Sequence, residues 1–235
     1  MVEKPTVILI HGVLATQNTW RKLLPYLVLK GYRVIAPTLP FENSTIRPDP
    51  FEAAKYVKQV INHYRFNKPI FLIGHSFGGL VAKAFLLKYG NEIPIKSIIT
   101  LASPHLGVRW SKRIVKHLLE LIEDFEGDEK MRIIKWNFYS IRKVFSYNSE
   151  IVKELNKAFE YKEIKFLLIG AYDQRFRMLT PVGDGVVELD SQVPPEFIKK
   201  ENVEHFVFYN VGHTQIQKIP GTRDLIHRFL KKTVG

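Results

Sequence analysis

Six short runs rich in Val, Ile, Leu and Phe fall at residues 6–10, 33–36, 69–73, 95–101, 164–169 and 206–210, and they set the strongest constraint on the chain. With little polar alternation, they have the pattern of strands buried on both faces. Helical patterns lie between them, at residues 20–29, 51–63, 80–89 and 222–232, the first closed by Gly31 and the third by Gly90. Strands and helices in alternation predict an α/β fold, with a mostly parallel sheet flanked by helices on both faces.

The 235 residues fit one domain, residues 1–235, and an apolar fraction of 46% against 25% charged is enough for a core. One stretch, residues 108–150, breaks the alternation between the fourth and fifth runs. Ile114, Leu118, Leu121, Ile122 and Phe125 recur there at helical spacing, and Trp136, Phe138, Tyr139, Phe145 and Tyr147 follow. It reads either as a helical excursion packed on the core or as a lid or acyl pocket over a site. With no cysteine, disulfides and thiol chemistry are excluded, and a serine must carry any nucleophilic step. No apolar run nears the roughly 18 residues of a membrane span. Met1-Val2-Glu3-Lys4-Pro5 lacks the marks of a secretory leader, so a cytoplasmic protein is expected. The formal charge of +12 is spread along the chain and mixed with acids, which argues against a nucleic-acid partner.

Gly74-His75-Ser76-Phe77-Gly78 stands between the third apolar run and the third helical pattern. A chain turning that sharply from strand to helix needs glycines where side chains would collide, and it pushes Ser76 out above the sheet as a nucleophile. At the start of the helix the Phe77 N–H is suited to a developing negative charge. The pentapeptide alone also fits an ordinary glycine-rich turn, so its partners decide. His11-Gly12-Val13-Leu14 follows the first run, where the glycine lets the loop fold toward the serine and offer the Val13 N–H, with His11 fixing the loop by hydrogen bonds. Of the eight histidines, His213 lies in the loop between the last run and the last helix, where a general base can reach back to Ser76. His205, before the last run, and His227, inside the final helix, read as structural or solvated, and His75 as packed beneath the serine. Asp173 and Asp184 both follow the fifth run in the order that a serine, acid and histidine set requires. The glycines flanking Asp184 favour it, and Asp173 reads alternatively as a cap or turn residue.

Together these segments resemble the α/β-hydrolase superfamily, within it the bacterial lipase and carboxylesterase branch, with likeness to relatives of the inositol-deacylase type. The likeness rests on His11-Gly12, Gly74-His75-Ser76-Phe77-Gly78-Gly79-Leu80, Leu101-Ala102-Ser103-Pro104-His105-Leu106-Gly107, Gly183-Asp184-Gly185-Val186-Val187 and Gly212-His213. The resemblance implies a minimal form of the fold with a helical, lid-like insertion. It also implies a triad of Ser76, Asp184 and His213, an oxyanion hole at Val13 and Phe77, and a site-shaping role for residues 103–107. Such relatives carry their acid in an Asp-Gly-Val/Leu-Val motif, which again points to Asp184. The activity implied is cleavage of carboxylic esters through an acyl-enzyme, on an ester or lipid small molecule, with transient contact with a lipid surface and no cofactor or metal. Thioester or amide cleavage on the same triad, and a non-catalytic member that binds a lipid or a partner, are the competing expectations.

Overall fold

The structure, a computed structural model, describes residues 5–13, 15–40, 49–64, 69–109, 142, 145–180 and 182–234. Among these residues the frame is a parallel sheet of β1 (Thr6–Ile10), β2 (Arg33–Ile35), β3 (Ile70–His75), β4 (Ile95–Leu101), β5 (Lys165–Tyr172) and β6 (Val203–Tyr209). The strand order is β2-β1-β3-β4-β5-β6, every neighbouring pair being parallel. Successive residues of the buried strands feed two separate cores. Ile8, Leu72, Ile98 and Phe166 face α2 (Pro50–Ile61) and α3 (Phe77–Tyr89), while Leu9, Phe71, Ile99 and Leu167 face α1 (Leu23–Leu29) and the final helix. Each such side chain, fully buried, stabilises the fold by about 1.5–3 kcal/mol.

Local chemistry explains the helices. Asp49 opens α2 by accepting hydrogen bonds from the amides of Phe51 at 2.7 Å and Glu52 at 3.2 Å, and Pro50 takes the first turn, where its missing N–H costs nothing. Ala53, Ala54, Val57 and Ile61 then form its buried stripe. Helix α3 is buried around its first turns because it lies between the sheet, α2 and the short helix α4 (Glu150–Asn156). A four-residue helix, α5 (Leu189–Gln192), follows β5, and α6 (Pro220–Val234) closes the described chain. Strand order reverses between β1 and β3, so the chain leaves their carboxyl ends toward opposite faces and opens a crevice there.

Two elements depart from the sequence pattern. The helix expected from residue 20 is divided into a 3-10 turn at Gln17–Trp20 and α1 from Leu23. Strand β6 begins at Val203, so His205 lies inside it and not before it. The polar start escaped the apolar pattern because β6 is an edge strand with Glu204 and His205 exposed. Most of the 108–150 insertion, including Ile114 to Phe125 and Trp136 to Tyr139, lies outside the described residues. Its two roots do pair: Val108 bridges Ser146, Phe145 is buried, and the Arg109 guanidinium lies 3.8 Å over the Tyr147 ring. Among the described residues no helix is long and apolar enough to cross a membrane.

Candidate active site

Ser76 sits between β3 and α3 with φ +53° and ψ −121°. A non-glycine residue held at positive φ costs on the order of 1–3 kcal/mol, so the surroundings must enforce it. They do so through the Ser76 amide, which donates to the Leu101 carbonyl at 2.8 Å, and through the crowding of the turn. A Cβ at Gly74 would collide with the Gly78 carbonyl, and one at Gly78 with the carbonyls of Ile10 and His11. Both glycines of the pentapeptide are therefore required by close backbone approach.

His213 follows β6 and reaches this turn. Its Nε2 lies 2.9 Å from Ser76 Oγ, and its Nδ1 lies 2.7 Å from Asp184 Oδ2. The pairing assigns the tautomer, with Nδ1–H donated to the carboxylate and the Nε2 lone pair left for the serine hydroxyl. The His213 amide also donates to the Asp184 carbonyl at 3.1 Å. Asp184 is 1% exposed, and its Oδ1 accepts the amides of Val186 at 3.0 Å and Val187 at 2.8 Å. The turn is braced from outside. Gly185, at φ +101°, donates its amide to Thr180 Oγ1 at 2.9 Å. The buried Gln192 ties Val187 to β5, donating to the carbonyls of Val187 and Ala171 and accepting the Ala171 amide.

Asp173 is brought elsewhere. It is fully buried, caps the 3-10 turn Gln174–Phe176, and accepts from the amide and guanidinium of Arg175. Those hydrogen bonds hold its carboxyl below the usual range, against the opposing effect of burial.

The loop after β1 closes on the serine. A Cβ at Gly12 would lie 3.2 Å from Ser76 Cβ. His11, fully buried, donates from Nδ1 to the Gly12 carbonyl at 2.7 Å and accepts the Leu39 amide on Nε2 at 2.8 Å. In a trans peptide the Gly12 carbonyl and the Val13 N–H point oppositely, so fixing one orients the other. Phe77 opens α3, and its amide belongs to the first turn, whose N–H groups lack helical acceptors. The Phe77 ring meets Phe145 edge-on at 5.1 Å.

Residues 103–107 follow β4, and Ser103 packs closely against Gly79 of α3. His105 is buried, with Nε2 2.9 Å from Thr100 Oγ1 and its amide donated to the Ser191 carbonyl at 2.8 Å. Asn156 donates to the His105 carbonyl at 2.7 Å and accepts from Lys83 Nζ at 2.6 Å. Lys83 is fully buried against one neutral acceptor, so burial holds its ammonium well below the usual lysine range. His105 is lowered by burial and then by Lys83. Among the described residues no three His, Cys, Asp or Glu side chains gather that could hold a metal ion.

A family model described as the alpha/beta hydrolase fold matches residues 5–134. The chain belongs to the α/β-hydrolase family. This α/β-hydrolase is 32% identical over 109 residues to a phospholipase, YtpA, of Bacillus subtilis, covering 44% of this chain and 41% of that protein. It is 28% identical over 139 residues to the monoacylglycerol lipase ABHD6 of Rattus norvegicus, covering 56% of this chain and 40% of that one. The matches therefore span about two fifths of the length of these relatives. The crystal structure of MGS-MChE2, an alpha/beta hydrolase enzyme from a sediment metagenome of the Mar Chica lagoon, superposes with a TM-score of 0.66 at 18% identity. That likeness of fold covers 98% of this chain and 92% of the other.

Several parts of the site carry no sequence signal of their own. Gln192, Thr180 and Arg175 act through long-range or turn-specific hydrogen bonds that no motif announces. His75 is buried, and it also reaches the loop after β6, with Nε2 2.9 Å from the His213 carbonyl.

Proposed function

We propose that this α/β-hydrolase cleaves carboxylic esters, with Ser76 as nucleophile, His213 as general base and Asp184 as the acid that orients it. The observation that carries this reading is the unbroken pair of hydrogen bonds from Asp184 through His213 to Ser76 Oγ. Ser76 Oγ attacks the ester carbonyl carbon as its proton passes to His213 Nε2, and the carbonyl electrons move to oxygen. The N–H groups of Val13 and Phe77 are the donors to that oxyanion, and losing one such donor costs roughly 3 kcal/mol in the transition state. Collapse expels the alcohol, which takes the proton from His213. Water then repeats the sequence on the acyl-enzyme, releasing the acid and restoring the serine. Asp184 holds the Nδ1–H tautomer and balances the imidazolium charge.

Apolar acyl groups suit the surroundings of the serine, where Phe77, Phe145 and Val13 belong to one apolar cluster. The relatives named monoacylglycerol lipase and phospholipase support a lipid ester in particular. Transient contact with a lipid surface fits the formal charge of +12 and the exposed Met178 and Val182 on the segment between Asp173 and Asp184. The test is hydrolysis of p-nitrophenyl esters from short to long acyl chains, comparing the native chain with Ser76→Ala. Turnover that rises with chain length and vanishes in the variant supports the reading. Turnover confined to thioesters or amides would move the substrate class, and none on any of the three would defeat the hydrolase assignment.

A further inference from the structure

The turn that carries Ser76 holds a second imidazole that the proposed chemistry leaves unused. His75 is 5% exposed, its Nε2 lies 2.9 Å from the carbonyl oxygen of His213, and the two rings stand 5.0 Å apart at 46°. We infer that His75 is a positioning residue, whose Nε2–H, donated to the His213 carbonyl, ties the base loop to the nucleophile turn and keeps the His213 ring in line with Ser76 Oγ. Its kinetic consequence rests on the ester-hydrolase reading; its structural consequence does not.

A carbonyl only accepts, so Nε2 carries the hydrogen and Nδ1 the lone pair. Among the described residues His75 Nδ1 is buried without a hydrogen-bond partner, and protonating it would place a second N–H where none of them receives it. The ionisable groups that face His75 are His213, His11 and Lys218, all basic, and burial with these neighbours pushes the imidazole down to about 3. His75 therefore stays a neutral donor throughout the range in which a histidine base works, and does not compete for the serine proton.

Besides Nε2 on Ser76 Oγ, the hydrogen bonds that hold His213, from its amide and from Nδ1, run to Asp184. They orient the ring relative to the acid. The His75 bond comes from the residue preceding Ser76, so it ties the His213 backbone to the nucleophile turn beside the direct contact of Nε2 with Ser76 Oγ. A misplacement of about 1 Å in such a pair costs about a hundredfold in rate.

The experiment compares His75→Phe, which keeps a ring and removes the donor, with His75→Gln, which restores an N–H at similar reach. Steady-state kinetics on a cleaved ester are read beside the NMR resonance of the His213 Nδ1–H proton, assigned by its loss in His213→Ala. In His75→Phe, kcat is expected to fall about 10- to 100-fold with KM within about twofold, and the Nδ1–H resonance to broaden by exchange. In His75→Gln both should return to near the native values. Native kcat and an unchanged resonance in His75→Phe would overturn the inference. So would equal kinetic loss in both variants that tracks their melting temperatures, since that is the mark of packing alone. If the native protein cleaves no ester, the function reading fails and the resonance alone decides the role of His75.

Discussion

Asp173 and Asp184 leave the same end of β5, and their first steps are alike. Both are shut off from solvent, and both accept a backbone amide two residues onward. They differ in what takes the remaining acceptor capacity. Asp173 is closed by the Arg175 guanidinium, a donor that does not give up its proton. Asp184 is closed by an imidazole whose other nitrogen lies on a serine hydroxyl. Burial and local capping therefore do not by themselves single out the proposed acid. What separates the two is whether the partner can exchange a proton and pass the consequence on.

Substitutions that remove each carboxylate test this contrast most severely. Asp184→Asn, which leaves the geometry and upsets the tautomer, is expected to lower kcat by about 10⁴-fold, while Asp173→Asn stays within about threefold of the native rate. Equal losses in the two would break the comparison. Lys83 sharpens it from the basic side, as a buried amine hydrogen-bonded to the neutral Asn156 and set over the Phe159 ring. Its folded-state pKa is depressed, so the unfolded chain binds the extra proton, and stability should rise with pH toward the ordinary lysine value of about 10.4. Measured by urea unfolding, the stability of the native chain relative to Lys83→Met should rise by up to about 1.4 kcal/mol per pH unit in that window. A pH-independent difference would contradict a lysine whose pKa burial has lowered. Thr180→Val strips the Gly185 amide of its acceptor and loosens the Asp184 turn, so kcat should fall about tenfold with KM little changed. The smallest effect concerns Asp173 itself. Its depressed pKa stabilises the fold above the ordinary carboxyl value of about 3.9, and that contribution is lost as pH falls through the folded-state value. Because Arg175 is largely exposed, the gap between native and Asp173→Asn stability should be about 1 kcal/mol at pH 7 and close in acid.

The sheet was legible because its strands are buried on both faces and so carry nearly unbroken apolar runs; β1 and β4 match their runs end to end. The edge strand β6 extends beyond its apolar run, since Glu204 and His205 face solvent and look like loop. Ser76 and His213 can be proposed from the sequence because a strained strand-to-helix turn and a post-sheet loop demand particular residues at particular places. Order alone does not separate Asp173 from Asp184 as the proposed acid, since what distinguishes them is the Arg175 guanidinium on one and the Val186 and Val187 amides and His213 on the other. The link from His75 to His213 joins residues 75 and 213 through a carbonyl oxygen, and main-chain acceptors leave no trace in residue type.

The most direct test of the central claim is stoichiometric labelling by a fluorophosphonate, followed by mass spectrometry of the labelled peptide. The account predicts one adduct per chain on Ser76, none in Ser76→Ala, and labelling slowed by orders of magnitude in His213→Ala. An adduct on another residue, a native chain that resists the reagent, or His213→Ala labelled at the native rate would contradict it.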